Sequence, residues 1–261
     1  MEEESDRITV PNWFDLPIDL TANILQRLGT FEILRSACRV SPQWWNVCKD
    51  PVMWRTIRMR CTRNSPSAYV DLAKICCNAV KRSSSHLEDI YIERFCTSDL
   101  LKFIAENGSH LLCMGLVNCS KITDEGFTEA MRKLPQLEKI DISHCHLTDV
   151  SLKALGRYCP LLKSLKYCSW SHESCDSDKM AFVIAETMPG LRHLDLKGHE
   201  LTELGVLAII DSCPLLESLD ISDCHYLTED LKKRCIDQIK DLQLPSRYIH
   251  EDNDSDDDFH Y

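Results

Sequence analysis

From residue 87 onward the chain repeats one pattern, L-x-x-L-x-L with apolar substitutes. The copies are Leu87-Ile90-Ile92, Leu111-Met114-Leu116, Leu137-Ile140-Ile142, Leu162-Leu165-Tyr167, Leu191-Leu194-Leu196 and Leu216-Leu219-Ile221. They begin 24, 26, 25, 29 and 25 residues apart. Alternating apolar positions describe a short strand with one buried face. Each strand is followed by a run at helical period, such as DVSLKALGRYCP (149–160) or ELGVLAIIDSCP (203–214). A unit of strand, turn and helix this short cannot bury its own apolar face, so neighbouring units must stack. The expected fold is α/β: a curved solenoid with parallel strands on its concave face and helices outside. Trp54-Ile57-Met59 has the same spacing and is expected to be an atypical first strand that caps the stack.

Residues 13–54 follow a different rule. Pro17 suits a helix's first turn, Asp19 its positive end, and Leu20, Ile24, Leu25 and Leu28 recur at helical spacing before Gly29. A second helix is expected with Thr30 as its cap, Glu32 in its first turn and Ile33, Leu34, Ala37 and Val40 as its apolar face. Pro42 opens a third, with Trp44, Trp45 and Val47, and Asp50-Pro51 closes it. About 40 residues is near the size below which a domain seldom stands alone, so this cluster leans on the repeats or on a partner. The implied organisation is an acidic, disordered N-terminus (1–10), a helical head (11–55), repeats (56–245) and an acidic, disordered tail (246–261).

The formal charge of −11 sits mainly at the ends. Glu251–Asp258 holds six acids, and the first seven residues hold four against Arg7, which leaves about −2 for residues 8–250. No basic stripe of the kind a phosphate backbone requires is present, so nucleic acid is not an expected partner. The longest run free of Lys, Arg, Asp and Glu, Asn107–Ser120, is too short and polar to span a bilayer. The acidic start MEEESDRITV differs from a basic, apolar targeting segment. A soluble chain in the nucleus, the cytoplasm or both is the expectation, with Lys232-Lys233-Arg234 either aiding nuclear entry or decorating the last helix.

The 15 cysteines pose the sharpest chemical question, most pointedly in His144-Cys145-His146. Inside a cell thiols stay reduced, so a disulfide framework is not expected. No two cysteines stand at C-x-x-C spacing. Cys119, Cys145 and Cys224 instead fall three residues after the last apolar strand position, and His199 takes that place in the fifth copy. Cys159-Pro160 and Cys213-Pro214 end helices. Both are positions for a small buried hydrophobe. No Ser/His/Asp or Cys/His constellation and no Gly-rich phosphate loop can be read, so neither a catalytic residue, a metal nor a cofactor is expected.

Leu16-Pro17, Ile24-Leu25, Leu28, Val40-x-x-x-Trp44 and Asp50-Pro51-x-x-Trp54 resemble an F-box in order and spacing. The repeats, with Ile122-Thr123-Asp124 and Leu147-Thr148-Asp149 after the turn, resemble the cysteine-containing subtype of leucine-rich repeat. Together they resemble the F-box/leucine-rich-repeat proteins, in a plant-like form. That resemblance implies a non-catalytic substrate receptor of an SCF-type ubiquitin ligase. Its partners would be a Skp-type adaptor, through it cullin and RING subunits, and an unknown protein target. Leu16, Pro17, Ile24, Leu25 and Leu28 match the adaptor-binding motif, with Trp44 packing inside; each leucine can equally be core. A scaffold that binds the adaptor without directing ubiquitination is the alternative.

Residues between the buried strand positions face the concave surface. The candidates there are Tyr91, Glu93, Lys139, Asp141, Lys166, His193, Asp195, Lys197 and Asp220, read either as a target-binding face or as ordinary solvated charge. The 29-residue step carries extra residues, YCSWSHESCDSDK (167–179), whose Trp170 is either a recognition anchor or folded back over the repeats. Ser5 and Ser255, set among acids, suit an acid-directed kinase.

Overall fold

A computed structural model describes residues 16–61, 66–168, 177–225 and 227–245. The acidic ends, the Trp170 loop, Ser5 and Ser255 lie outside the described residues. Eight parallel strands form one sheet in sequence order: β1 (Thr56–Arg60), β2 (Asp89–Glu93), β3 (Cys113–Val117), β4 (Lys139–Asp141), β5 (Ser164–Lys166), β6 (His193–Asp195), β7 (Ser218–Asp220) and β8 (Asp241–Gln243). Helices α4 (Pro66–Arg82), α5 (Ser98–Asn107), α6 (Asp124–Met131), α7 (Asp149–Tyr158), α8 (Ser177–Thr187), α9 (Glu203–Ser212) and α10 (Glu229–Gln238) connect them.

The register is the one the spacing implies. Ile57 pairs with Ile90 and Met59 with Ile92, then Ile90 with Met114 and Ile92 with Leu116. All six are buried. One continuous apolar core runs from Leu25 to Ile239. The first unit's helix α4 and the eighth strand add to the six repeats, and Leu242 is the inward residue of β8.

A second ladder runs along the helix starts. Thr97, Thr123, Thr148, Thr202 and Thr228 each cap the following helix, with the side-chain oxygen accepting a backbone N–H. Each cap from Thr123 to Thr228 on which the ladder is described is also tied to the first turn of the preceding helix. Ser98 accepts the Thr123 N–H at 3.1 Å, and Asp124 accepts the N–H and hydroxyl of Thr148 at 2.9 and 3.0 Å. Asp178 holds Thr202 in the same way, and Glu203 accepts the Thr228 hydroxyl. The I-T-D and L-T-D runs are thus caps that also bolt one unit to the next. Little room is left there: a Cβ on Gly126 would lie 2.5 Å from Ser98, and one on Gly205 would lie 2.3 Å from Asp178.

The head comprises α1 (Ile18–Leu25), α2 (Thr30–Arg35) and α3 (Pro42–Val47), with short 3-10 turns at Ala37–Arg39 and Pro51–Trp54. Pro17 precedes α1, Asp19 lies in its first turn and Ser41 caps α3, its hydroxyl accepting the Trp44 N–H. Thr30 departs from expectation. The cap of α2 is Gly29, whose N–H donates to Glu32, while the buried Thr30 hydroxyl serves β1 instead. Trp54 sits before β1 rather than in it, fully buried, and its indole N–H donates to the Cys48 carbonyl at 3.0 Å. Arg82 of α4 donates to the same carbonyl and stacks its guanidinium 5.1 Å from the Trp45 ring centre and 5.7 Å from that of Trp54. Head and solenoid are therefore bonded at two places, the Cys48 carbonyl and the Thr30 hydroxyl.

Candidate docking surfaces

The head keeps several apolar side chains in solvent. Ile18 is 65% exposed and Leu20 50%, and Ile24, Leu28, Val40, Trp45 and Val52 are exposed as well. Pro17 is exposed and Leu16 half-buried, with its carbonyl accepting from Gln43 Nε2 at 3.0 Å. Leu25 is the exception among the five motif residues, at 0% exposure. It follows Ile24 by one position, which turns it about 100° round the helix into the core. Its place in the list of contact residues is corrected to the head's own packing. Ile18, Leu20 and Val52 are apolar surface that the motif reading missed, and Val40 faces solvent rather than the apolar interior of the head. Trp44 packs half-buried against the core as expected, its indole N–H without a partner among the described residues.

The concave face is more committed to itself than its sequence suggests. Glu93 is buried, with Arg60 at 2.5 Å and Arg94 at 3.7 Å, so it is an internal ion-pair member and is corrected from the exposed candidates. Asp141, Asp195 and Asp220 share one repeat position and one task. Each accepts the backbone N–H two residues on, from Ser143, Lys197 and Ser222, and so fixes the turn out of its strand. Lys166 pairs with Asp195 at 2.8 Å, which lifts the lysine's pKa. Burial works upward on Asp195, but bonds from Lys166, Cys168 and Lys197 outweigh it and hold the carboxyl below its usual value. The Tyr91 ring packs beside Gly115, where a Cβ would come within 2.4 Å of it. Lys139, Lys166, His193 and Lys197 are exposed.

The stretch His144-Cys145-His146 resolves into turn geometry. Arg94, Asn118, His144 and Gly198 all stand two residues past the last apolar strand position, and all have left-handed backbone, with φ of 78°, 56°, 58° and 86°. Asn and Gly at that place were the available signal, because both tolerate this conformation. Cys145 is half-buried, its thiol 2.9 Å from the Leu116 carbonyl, and bonding to Cys119 together with burial pushes its pKa up. Burial alone pushes Cys159 to about 12 and, as the largest cause, Cys224 to about 11. Thiols held protonated in this way are poor nucleophiles, whereas the bond to Cys145 lowers the pKa of its partner Cys119. His146 is exposed, and burial lowers the pKa of His144. Among the described residues no three His, Cys, Asp or Glu side chains converge as a metal site, and no helix is long and apolar enough to cross a membrane.

A helical head with exposed apolar residues is thus bonded to a stack of leucine-rich units. Comparison with known proteins gives the family. The F-box-like family model matches residues 13–60, and a leucine-rich-repeat model matches residues 133–156. F-box protein SKIP19 of Arabidopsis thaliana is 44% identical over 92% of this chain and 79% of its own length. F-box/LRR-repeat protein 9 of the same plant is 41% identical over 82% and 88%. F-box/LRR-repeat protein 23 is 46% identical over 94% of this chain, which spans 54% of that relative's length. The chain belongs to the F-box/LRR-repeat proteins. Among solved structures, the yeast Rad7 and Elc1 complex gives a TM-score of 0.44 at 16% identity, covering 87% of this chain and 70% of that one. The tropomodulin C-terminal domain of Caenorhabditis elegans gives 0.43 at 16% identity, covering 55% and 92%.

Proposed function

We propose that the chain is the non-catalytic substrate-recognition subunit of an SCF-type ubiquitin ligase. The head docks on a Skp-type adaptor, which brings cullin and RING subunits, and the solenoid holds a protein target for ubiquitination. One observation carries the docking step: Ile18, Leu20, Ile24, Leu28, Val40, Trp45 and Val52 are all exposed within one small helical segment. Seven exposed apolar residues in one short segment support an interaction site there. The receptor's contribution is tethering, which raises the effective concentration of a target lysine near the transferring enzyme and asks no chemistry of the receptor itself. The concave candidates left for the target are Tyr91, Lys139, Lys166, His193 and Lys197. The complex would work in the nucleus, the cytoplasm or both.

The test is co-purification of purified chain with recombinant adaptor and cullin, for wild type and for Leu28→Asp. Wild type forms a stoichiometric complex and the variant loses it. No complex with wild type, or equal retention by the variant, would refute the docking assignment.

A further inference from the structure

One step of the cysteine ladder brings two thiols together. The strand register continues past the strand ends: Gly115 pairs with Asp141, and further on the Asn118 N–H donates to the Ser143 carbonyl at 3.0 Å. Cys119 is therefore in register with Cys145. Their thiols repeat each other's setting, Cys119 on the Ile92 carbonyl at 3.7 Å and Cys145 on the Leu116 carbonyl at 2.9 Å. Ile92 and Leu116 are themselves register partners. Adjacent strands lie about 4.8 Å apart. A disulfide joins Cα atoms roughly 4.4–6.8 Å apart but favours Cβ atoms about 3.5–4.5 Å apart, so a link here forms with slight strain and is easily reduced. Both thiols are free. Cys119 is fully buried, whereas Cys145 is half-buried beside exposed His146, so a small oxidant meets Cys145 first. Cys38 and Cys48 are also neighbours, but both are buried.

We propose that Cys119 and Cys145 are a site of reversible oxidation, closed by hydrogen peroxide into a disulfide that staples the unit of β3 to the unit of β4. In the first step the Cys145 sulfur, its proton released, attacks peroxide. An S–O bond forms, the O–O bond breaks, and the leaving hydroxide takes up the released proton as water. In the second step the Cys119 sulfur attacks this sulfenic sulfur. The S–S bond forms, the S–O bond breaks, and hydroxide leaves as water with the Cys119 proton. Two thiols give two electrons to one peroxide, and two waters form. The bond to Cys145 holds the Cys119 pKa below the usual thiol value, which favours the second step, while Cys145 keeps its proton and slows the first. The pair thus answers sustained peroxide rather than traces of it. Glutathione reverses the link by thiol–disulfide exchange. None of this rests on the proposed ligase role.

The experiment exposes the purified full chain to excess hydrogen peroxide, blocks the remaining thiols with iodoacetamide and maps linked peptides by mass spectrometry. The expected main product is the Cys119–Cys145 link, with fragment ions placing the bond at Cys119 rather than at nearby Cys113. Glutathione is expected to return both thiols, and Cys145→Ser to lose the link entirely. The same treatment in concentrated urea is expected to abolish the preference for this pair, because the fold and not the sequence brings the sulfurs together. A different main pair, Cys145 carried on to sulfinic or sulfonic acid with no link, both thiols left intact, or the same preference in urea would each overturn the proposal. The wild-type map decides the question even where Cys145→Ser fails to fold.

Discussion

The hydroxyl oxygen of Thr30 accepts the backbone N–H of Arg58 at 3.1 Å. By this bond a helix of the head satisfies one amide on the edge strand of an eight-stranded sheet, the kind of edge that invites pairing with another chain. Thr30 is buried, so its removal leaves the Arg58 amide without a partner. Thr30→Val is expected to cost about 1–3 kcal/mol, the range for stranding a buried donor, while Thr30→Ser keeps the bond and most of the stability. Urea denaturation midpoints measure both. Equal midpoints for Val and wild type would mean that water does the work assigned to Thr30.

Adjacent leucines and isoleucines of the head separate stability from docking. Leu25 is fully buried, and Leu25→Ala is expected to destabilise by roughly 2–5 kcal/mol, as large-to-small core changes do. Leu28 is exposed, so Leu28→Ala should move the midpoint by only about 0.5 kcal/mol. In adaptor binding the order reverses, with Leu28→Ala weaker by tenfold or so, about 1.4 kcal/mol, and folded Leu25→Ala close to wild type. Titration of adaptor into each folded variant checks it, and a docking loss confined to Leu25 would reverse the assignment.

Gly115 exists to seat Tyr91. A Cβ would stand 2.4 Å from one ring carbon and 3.0 Å from the next, so Gly115→Ala must displace the ring. Overpacking of this kind costs about 1–3 kcal/mol. Adding Tyr91→Ala should recover most of that cost, since the clash disappears with the ring, and a double-mutant cycle on denaturation free energies reads the coupling. Additive losses would show that the glycine serves the backbone rather than the tyrosine.

How much of this was legible in the sequence depends on whether one side chain or the backbone decides. Leucine spacing sets which strand residues point inward, so the sheet and the pairing of Ile57 with Ile90 could be read directly. β8 left almost no trace, because Leu242 is the only inward residue of its three and no leucine pattern introduces it. α4 went unread because it joins the atypical first unit to the repeats, with Cys76, Ala79 and Val80 buried among its described residues. At the proposed docking face, hydrophobicity could not separate Leu25 from Leu28, which differ in helical phase. On the concave face, the charges of Glu93, Asp141, Asp195 and Asp220 were visible. Their internal partners are backbone amides and cations one repeat away, which a linear pattern does not display.

His199 supplies a pH test of the cysteine ladder. It occupies the rung that Cys119, Cys145 and Cys224 fill elsewhere, and it stacks on Tyr167 with ring centres 5.0 Å apart and planes 14° from parallel. Its Nε2 is buried without a hydrogen-bond partner among the described residues. Burial therefore pushes the imidazole pKa down; a bond to the Tyr167 backbone works the other way, and nearby His144 adds to the fall. Unfolded, the ring titrates near 6.5. Above that pH both states are neutral and the rung contributes fully. As pH falls through 6.5 the unfolded chain takes the proton first, so stability is lost down to the folded pKa. Phe95 fills the equivalent place in β2's unit at 2% exposure, which makes His199→Phe the natural control because it keeps the stack and removes the titration. Urea midpoints of wild type should fall more steeply than those of the variant between about pH 7 and 5, the range in which an ordinary histidine charges. The other histidines are common to both proteins and cancel in the difference. Parallel curves across that range would mean that the ring opens to solvent on protonation at no cost, and that the rung is not closed.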